Sequence, residues 1–98
     1  GHDPVVIKGA NELISLQKIR IIQFEYNWRW IYGNHLLYDI FKSLTKYDYC
    51  IGKVTPSGIQ FYKEYNVELE NFTEGNYIAC LNKYVNRFKQ VECWLSDK

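Results

Sequence analysis

The residues with the most chemical potential sit in three short stretches near the start of the chain. The run Ile19-Arg20-Ile21-Ile22-Gln23-Phe24-Glu25-Tyr26-Asn27 passes from apolar to polar, and Glu25 and Asn27 close it with a carboxylate and an amide. Such a pair at a strand end could orient a hydroxyl substrate, act as a base or help to hold a metal; Glu25 could equally cap or pair there. His2-Asp3 stands at a helix N-terminus, where an imidazole titrating near neutrality beside a carboxylate could serve as an acid/base pair. Asp3 also has the chemistry of a helix N-cap. Trp28, Trp30 and Tyr32 alternate with Arg29 and Ile31. Aromatic faces next to an arginine can stack on a sugar ring or another flat ligand, and they can also cover a core edge or a partner surface.

Other chemistries lack their residues. Cys50, Cys80 and Cys93 do not have metal-ligand spacing, and His35 has no nearby Cys or His to join it, so no metal site is expected. There is no G-x-G-x-x-G, no P-loop and no G-x-S-x-G. As an independent enzyme the chain lacks parts.

Several elements must position these residues. Asp3-Pro4 is a helix-start signal, and Val6, Ala10, Leu13 and Ile14 fall at helical spacing, predicting a helix over 4–16. Three isoleucines make 19–27 a strand. Ile21 and Ile22 are adjacent, so apolar side chains point to both faces, as in a parallel sheet sandwiched by helices. Ligands of open α/β sheets sit outside the carboxyl ends of such strands. A helix leading into a buried strand is half of a β-α-β unit whose first strand should precede residue 1. Asn34 is a plausible N-cap for a second helix to Leu44, with Leu37, Ile40, Phe41 and Leu44 as its apolar stripe. Residues 47–54 read as a strand, 55–58 as a turn, 59–63 as a short returning strand, 64–75 as a polar surface loop and 76–81 as a final buried strand. From Asn82, the residues Tyr84 or Val85, Phe88, Val91 and Trp94 or Leu95 approach helical spacing and predict a helical tail.

Composition bounds the function. At 98 residues, 47% hydrophobic and 23% charged, the chain makes at most one small globular domain. A net charge of +1 with acids and bases interspersed gives no footprint for nucleic acid, and no apolar run approaches the roughly 20 residues that span a bilayer. Three widely spaced cysteines and no signal-peptide pattern point to reduced thiols in a cytoplasmic, intracellular protein. The chain contains no methionine, which leads us to expect residues upstream of Gly1.

The order of the pieces carries a resemblance. Gly-His-Asp-Pro-Val-Val-Ile-Lys-Gly-Ala (1–10), Ile-Gln-Phe-Glu-Tyr-Asn (22–27), Leu-Leu-Tyr-Asp-Ile-Phe (36–41) and Asn-Tyr-Ile-Ala (76–79) together resemble the C-terminal half of an FkbM-family methyltransferase. In that family a strand ending in Asp-x-Glu-Gly is followed by a helix with a Lys-Gly-Ala step and then by a strand ending in Glu. The resemblance implies an α/β fold, namely the C-terminal part of a Rossmann-like class I methyltransferase sheet closed by a terminal antiparallel strand pair, with residues 1–98 as one partial domain. It implies S-adenosylmethionine as cofactor for the intact domain and a small-molecule or sugar hydroxyl as methyl acceptor. It also implies a missing N-terminal half as partner, since the family's glycine-rich loop and acidic cofactor residue are not in this sequence. Gly1 would be the glycine of the Asp-x-Glu-Gly motif and flank the cofactor. Glu25 and His2 would be the catalytic candidates, and Asn27, Trp28 and Trp30 would contact substrate. The reading from a different class is a small stand-alone α+β binding module that grips a glycan or protein through Trp28–Tyr32.

Overall fold

The computed structural model describes residues 3–91. The expectations for Gly1, His2, Trp94 and Leu95 lie outside them.

The first helical stretch divides in two. Helix α1 spans Asp3–Gly9 and α2 spans Asn11–Ser15, and the break falls at the Lys-Gly-Ala step, where glycine is the weakest ordinary helix former. Hydrogen bonds from Ala10 N to Val6 O and from Ile14 N to Ala10 O, each 3.0 Å, keep the two pieces in line. Ile7 and Ile14 therefore face the same core. This corrects the expected stripe, because Val6 and Leu13 point to solvent at 65% and 47% exposure. The pair ends on Gln17 in the left-handed region (φ 56°), with Lys18 N bonded to Leu13 O and Gln17 N to Ile14 O. That is the double bond pattern of a Schellman stop.

Strand β1 is Ile21–Tyr26. It is not the doubly covered strand that its isoleucines suggested. Ile22, Phe24 and Tyr26 turn toward the core, while Ile21, Gln23 and Glu25 are exposed. Strands β2 (Tyr49–Thr55), β3 (Gly58–Tyr62) and β4 (Gly75–Leu81) complete one sheet in the order β1-β4-β2-β3. Every neighbouring pair is antiparallel. β1 and β2 consequently run parallel to each other, with the reversed β4 between them. The last strand in the chain is thus central, and it carries the two-faced burial expected of β1: Tyr77, Ile78, Ala79, Cys80 and Leu81 are all buried. A near-continuous apolar run is what two covered faces select.

Helix α3 spans Leu37–Thr45 and buries the expected Leu37, Ile40, Phe41 and Leu44 against the sheet. Its start differs from expectation. Asn34 is not its cap but the left-handed end (φ 57°) of a 3-10 turn over Trp28–Gly33. The opening N–H groups of α3 go instead to carboxylates: Leu36 N to Asp39 Oδ2 (3.2 Å), Leu37 N to Glu70 Oε2 (2.8 Å) and Tyr38 N to Glu70 Oε1 (2.9 Å).

The tail is a correction as well. Asn82–Arg87 forms a 3-10 turn, after which the chain extends along β3 rather than continuing as a helix. Ile59 N bonds to Lys89 O (2.8 Å), Val91 N bonds to Ile59 O (2.9 Å), and Phe88 meets Phe61 with ring centroids 6.1 Å apart.

Candidate functional site

The strongest polar constellation lies at the carboxyl end of β1. Glu25 is exposed, and its Oε1 accepts a hydrogen bond from Asn27 Nδ2 at 2.8 Å. Asn27 is buried (6% exposed), and its Oδ1 accepts from Arg29 N at 2.9 Å, capping the 3-10 turn. Asn27 was expected to contact substrate. Both ends of its amide are engaged within the chain, so it holds Glu25 in place instead. Among the described residues Glu25 Oε2 has no hydrogen-bond partner.

Asp3 joins this end of the strand from another element. Its Oδ2 accepts from Glu25 N at 2.6 Å, so its carboxylate reaches across to β1. Asp3, Gln23, Glu25 and Asn76 line an open groove of about 480 Å³, with Phe24, Val54, Tyr77 and Ile78 as its apolar part. Two carboxylates and two amides in one groove can accept and donate hydrogen bonds to a hydroxylated ligand. No group of three His, Cys, Asp or Glu side chains suited to a metal ion occurs among the described residues.

The aromatic trio divides. A 3-10 turn brings residues three apart onto one side, so Trp28 and Ile31 face solvent and Trp30 faces inward. Trp28 is 52% exposed, with the Arg29 guanidinium 5.3 Å from its ring centroid and the Tyr32 ring edge-on at 5.8 Å. Trp30, expected to contact substrate, is 1% exposed and belongs to the core. It packs edge-on against Tyr26 at 4.9 Å, and its Nε1 donates to Glu25 O at 3.1 Å. Its part in the site is therefore to fix the strand end that carries Glu25.

Behind this site lies a carboxylate in the stretch expected to be a polar surface loop. Glu70 receives four donors: Tyr26 Oη and Leu37 N on Oε2, and Tyr38 N and Tyr65 Oη on Oε1, at 2.8–2.9 Å. Tyr26 Oη in turn accepts from Phe72 N at 2.9 Å. Burial first, and then the Glu70 carboxylate, push the Tyr26 and Tyr65 phenols well above their ordinary range. Tyr77 is raised mainly by burial. The one sequence signal for Glu70 is weak: an acidic residue in a stretch otherwise free of buried-strand pattern, with tyrosines on either side of the chain to meet it.

Cys50 and Cys80 face each other across β2 and β4 as free cysteines. Burial raises both, Cys80 to about 11, so neither supplies thiolate near neutrality.

Among the described residues, the glycines leave no open backbone in a strand-to-helix turn of the kind that cradles a nucleotide-type cofactor. A side chain at Gly33 would meet the His35 ring, one at Gly52 would meet Ile59 and Phe61, and one at Gly58 would meet the Lys89 carbonyl. Gly75 lies beside Lys53, and Gly9, the one open glycine among them, is inside a helix rather than in a strand-to-helix turn. No protein-family model, curated protein or solved structure matches the chain.

Proposed function

We propose that this chain is the acceptor side of an S-adenosylmethionine-dependent O-methyltransferase of the FkbM type, acting on a hydroxyl of a small molecule or sugar. The observation that carries the reading is the placement of Glu25: it ends an edge strand, is held by the buried Asn27, and lines a polar groove with Asp3, Gln23 and Asn76. Carboxyl strand ends are where α/β sheets bind ligands. The strand directions support it, with β1 and β2 pointing the same way and β4 antiparallel between them. So does the order of the motifs along the chain.

In this reading Glu25 accepts the hydroxyl hydrogen of the acceptor and takes the proton as the oxygen becomes a nucleophile. Asn27 and Trp30 hold the strand end so that the carboxylate is aimed before the acceptor arrives, which is the part of such a reaction that alignment supplies. Asp3 borders the same groove. The cofactor, which supplies the methyl group, has its cradle in the preceding half of the domain, and no step is assigned to it among these residues.

The test is Glu25→Gln in the protein that carries the whole sheet. The substitution keeps the size and the Asn27 neighbour but removes the base, and turnover falls by roughly 100-fold or more while cofactor affinity stays within about twofold. Unchanged turnover removes Glu25 from the reaction.

A second reading rests on Trp28 and Tyr32, which are 52% and 79% exposed beside Arg29: a binding module whose aromatics stack on a glycan or dock a protein. Glu25→Gln separates the two: it leaves ligand capture unchanged in the module reading and lowers turnover in the first.

A further inference from the structure

Cys50 and Cys80 are the thiols of the described residues, and the function proposed above uses neither. They stand directly opposite each other on β2 and β4, the two central strands of the sheet. Opposite residues of an antiparallel pair project from the same face, with Cβ atoms about 4.5–5.5 Å apart. Here that face is the one turned away from the helices. On β4 it is Tyr77, Ala79 and Leu81 that join the main core, and Ile78 and Cys80 alternate with them.

The backbone fixes what kind of pair this is. One step beyond Tyr49 and Leu81 in the same register, Asn82 N donates to Asp48 O at 2.9 Å. Ladder hydrogen bonds fall at every second pair, so Cys50 and Cys80 are also a hydrogen-bonded pair, with Cα atoms about 5.5 Å apart. Disulfides span Cα separations of about 4.4–6.8 Å, so the strands already stand at bridging distance. The Cβ atoms fit less well, since a disulfide holds them about 3.5–4.5 Å apart, at or below what the ladder sets. A bond made here carries strain, and strained disulfides are the easily reduced ones.

The side chains leave the step open. Cys50 is half-buried and Cys80 is 0% exposed, so an oxidant meets Cys50 first. Cys50 Sγ rests on Tyr62 O at 3.9 Å. A thiol is a weak donor, and one staggered step about χ1 turns the sulfur from β3 toward β4 at the cost of that contact. Burial first, and then the charge of Cys50, hold the Cys80 thiol protonated, so the two sulfurs already feel each other.

We propose that Cys50 and Cys80 are a redox pair that a small peroxide converts into a reversible disulfide clamping β2 to β4. Cys50 Sγ, as thiolate, attacks one peroxide oxygen; the S–O bond forms, the O–O bond breaks, and the departing hydroxide takes up the proton that the thiol released. Cys80 Sγ then attacks the Cys50 sulfur. The S–S bond forms, the S–O bond breaks, and the hydroxyl leaves as water with the Cys80 proton. Two thiols are oxidised and one peroxide is reduced to two waters. Burial keeps the Cys50 thiolate scarce near neutrality, so the first step is slow and needs peroxide in excess. Val54 on β2 and Asn76 and Ile78 on β4 line the groove beside Glu25, so the clamp fixes two of its walls relative to each other. The chemistry of the pair is independent of whether Glu25 is a base.

The test uses residues 1–98 with Cys93→Ser, which leaves these two thiols alone, and hydrogen peroxide as the oxidant. After treatment and denaturation neither thiol alkylates, the intact mass falls by about 2 Da for the two hydrogens removed, and a digest joins the Cys50 peptide to the Cys80 peptide within one chain. Dithiothreitol restores both thiols. Two thiols that still alkylate overturn the inference. So does a mass gain of about 16 or 32 Da, the signature of sulfenic or sulfinic acid with no bridge, and so does a disulfide between two chains. Cys80→Ala in the same background supplies an independent check. With no partner to consume it, the Cys50 sulfenic acid accumulates, and trapping by dimedone rises about tenfold over the chain that keeps Cys80. Equal trapping in the two chains removes Cys80 from the reaction and overturns the pair.

Discussion

At the scale of single residues, the side chain that ties most of the site region together is Glu70. It joins the end of β1 through Tyr26, the start of α3 through Leu37 N and Tyr38 N, and its own loop through Tyr65. Hydrogen bonds to a charged group contribute more than neutral ones, and a half-buried donor left without its acceptor costs further. Glu70→Ala therefore destabilises by about 3 kcal/mol, read as a lower urea midpoint at an unchanged slope. Glu70→Gln recovers part of that, because one amide oxygen replaces two acceptors. The phenols give a pH signature. Tyr26, Tyr65 and Tyr77 have folded-state values raised above the ordinary 10.0. The unfolded chain then loses these protons first. The stability they contribute is whole below about pH 10 and falls as pH rises toward the raised values. Denaturation midpoints measured from about pH 8 to about pH 11 should drop, and the drop should be shallower in Tyr26→Phe. A flat profile contradicts the burial of these hydroxyls.

At the scale of elements, the β2–β3 hairpin and the tail form one unit. Gly58 has φ +146°, and a Cβ there would sit 2.5 Å from the Lys89 carbonyl oxygen. Gly58→Ala should cost about 2 kcal/mol through strain and loss of the tail contact, and exchange at Ile59 N should rise with it. These elements also show what the sequence could and could not reveal. Local pattern suffices for α3, β2, β3 and β4, because an apolar stripe or a short apolar run bounded by Thr-Pro-Ser-Gly is a property of adjacent residues. Neighbours in space are not. β4 is last in the chain but central in the sheet, so the two-faced burial read into Ile21-Ile22 belongs to Tyr77–Leu81 instead. Of the site, Glu25 and Asn27 at the strand end were legible from their position after an apolar run. Asn27 reaches Glu25 only two residues away, through a side-chain bond that no hydrophobic pattern marks, while the burial of Trp30 and the capping of α3 by Glu70 depend on the period of a 3-10 turn and on contacts between residues far apart in the chain.

At the scale of the whole molecule, the described residues form four strands and three short helices that bury one core on the helical side of the sheet, and among them nothing covers the β1 edge or the outer faces of α1 and α2. No helix among the described residues is long and apolar enough to cross a membrane. In the proposed reading this sheet is the acceptor half, and the cofactor's cradle belongs to a separate part of the domain. The measurement that bears most directly on this is calorimetric titration of S-adenosylmethionine into residues 1–98 and into the protein with its preceding segment. No measurable heat of binding is expected for residues 1–98, and saturable one-to-one binding for the longer protein. Tight binding to residues 1–98, or none to either, contradicts it.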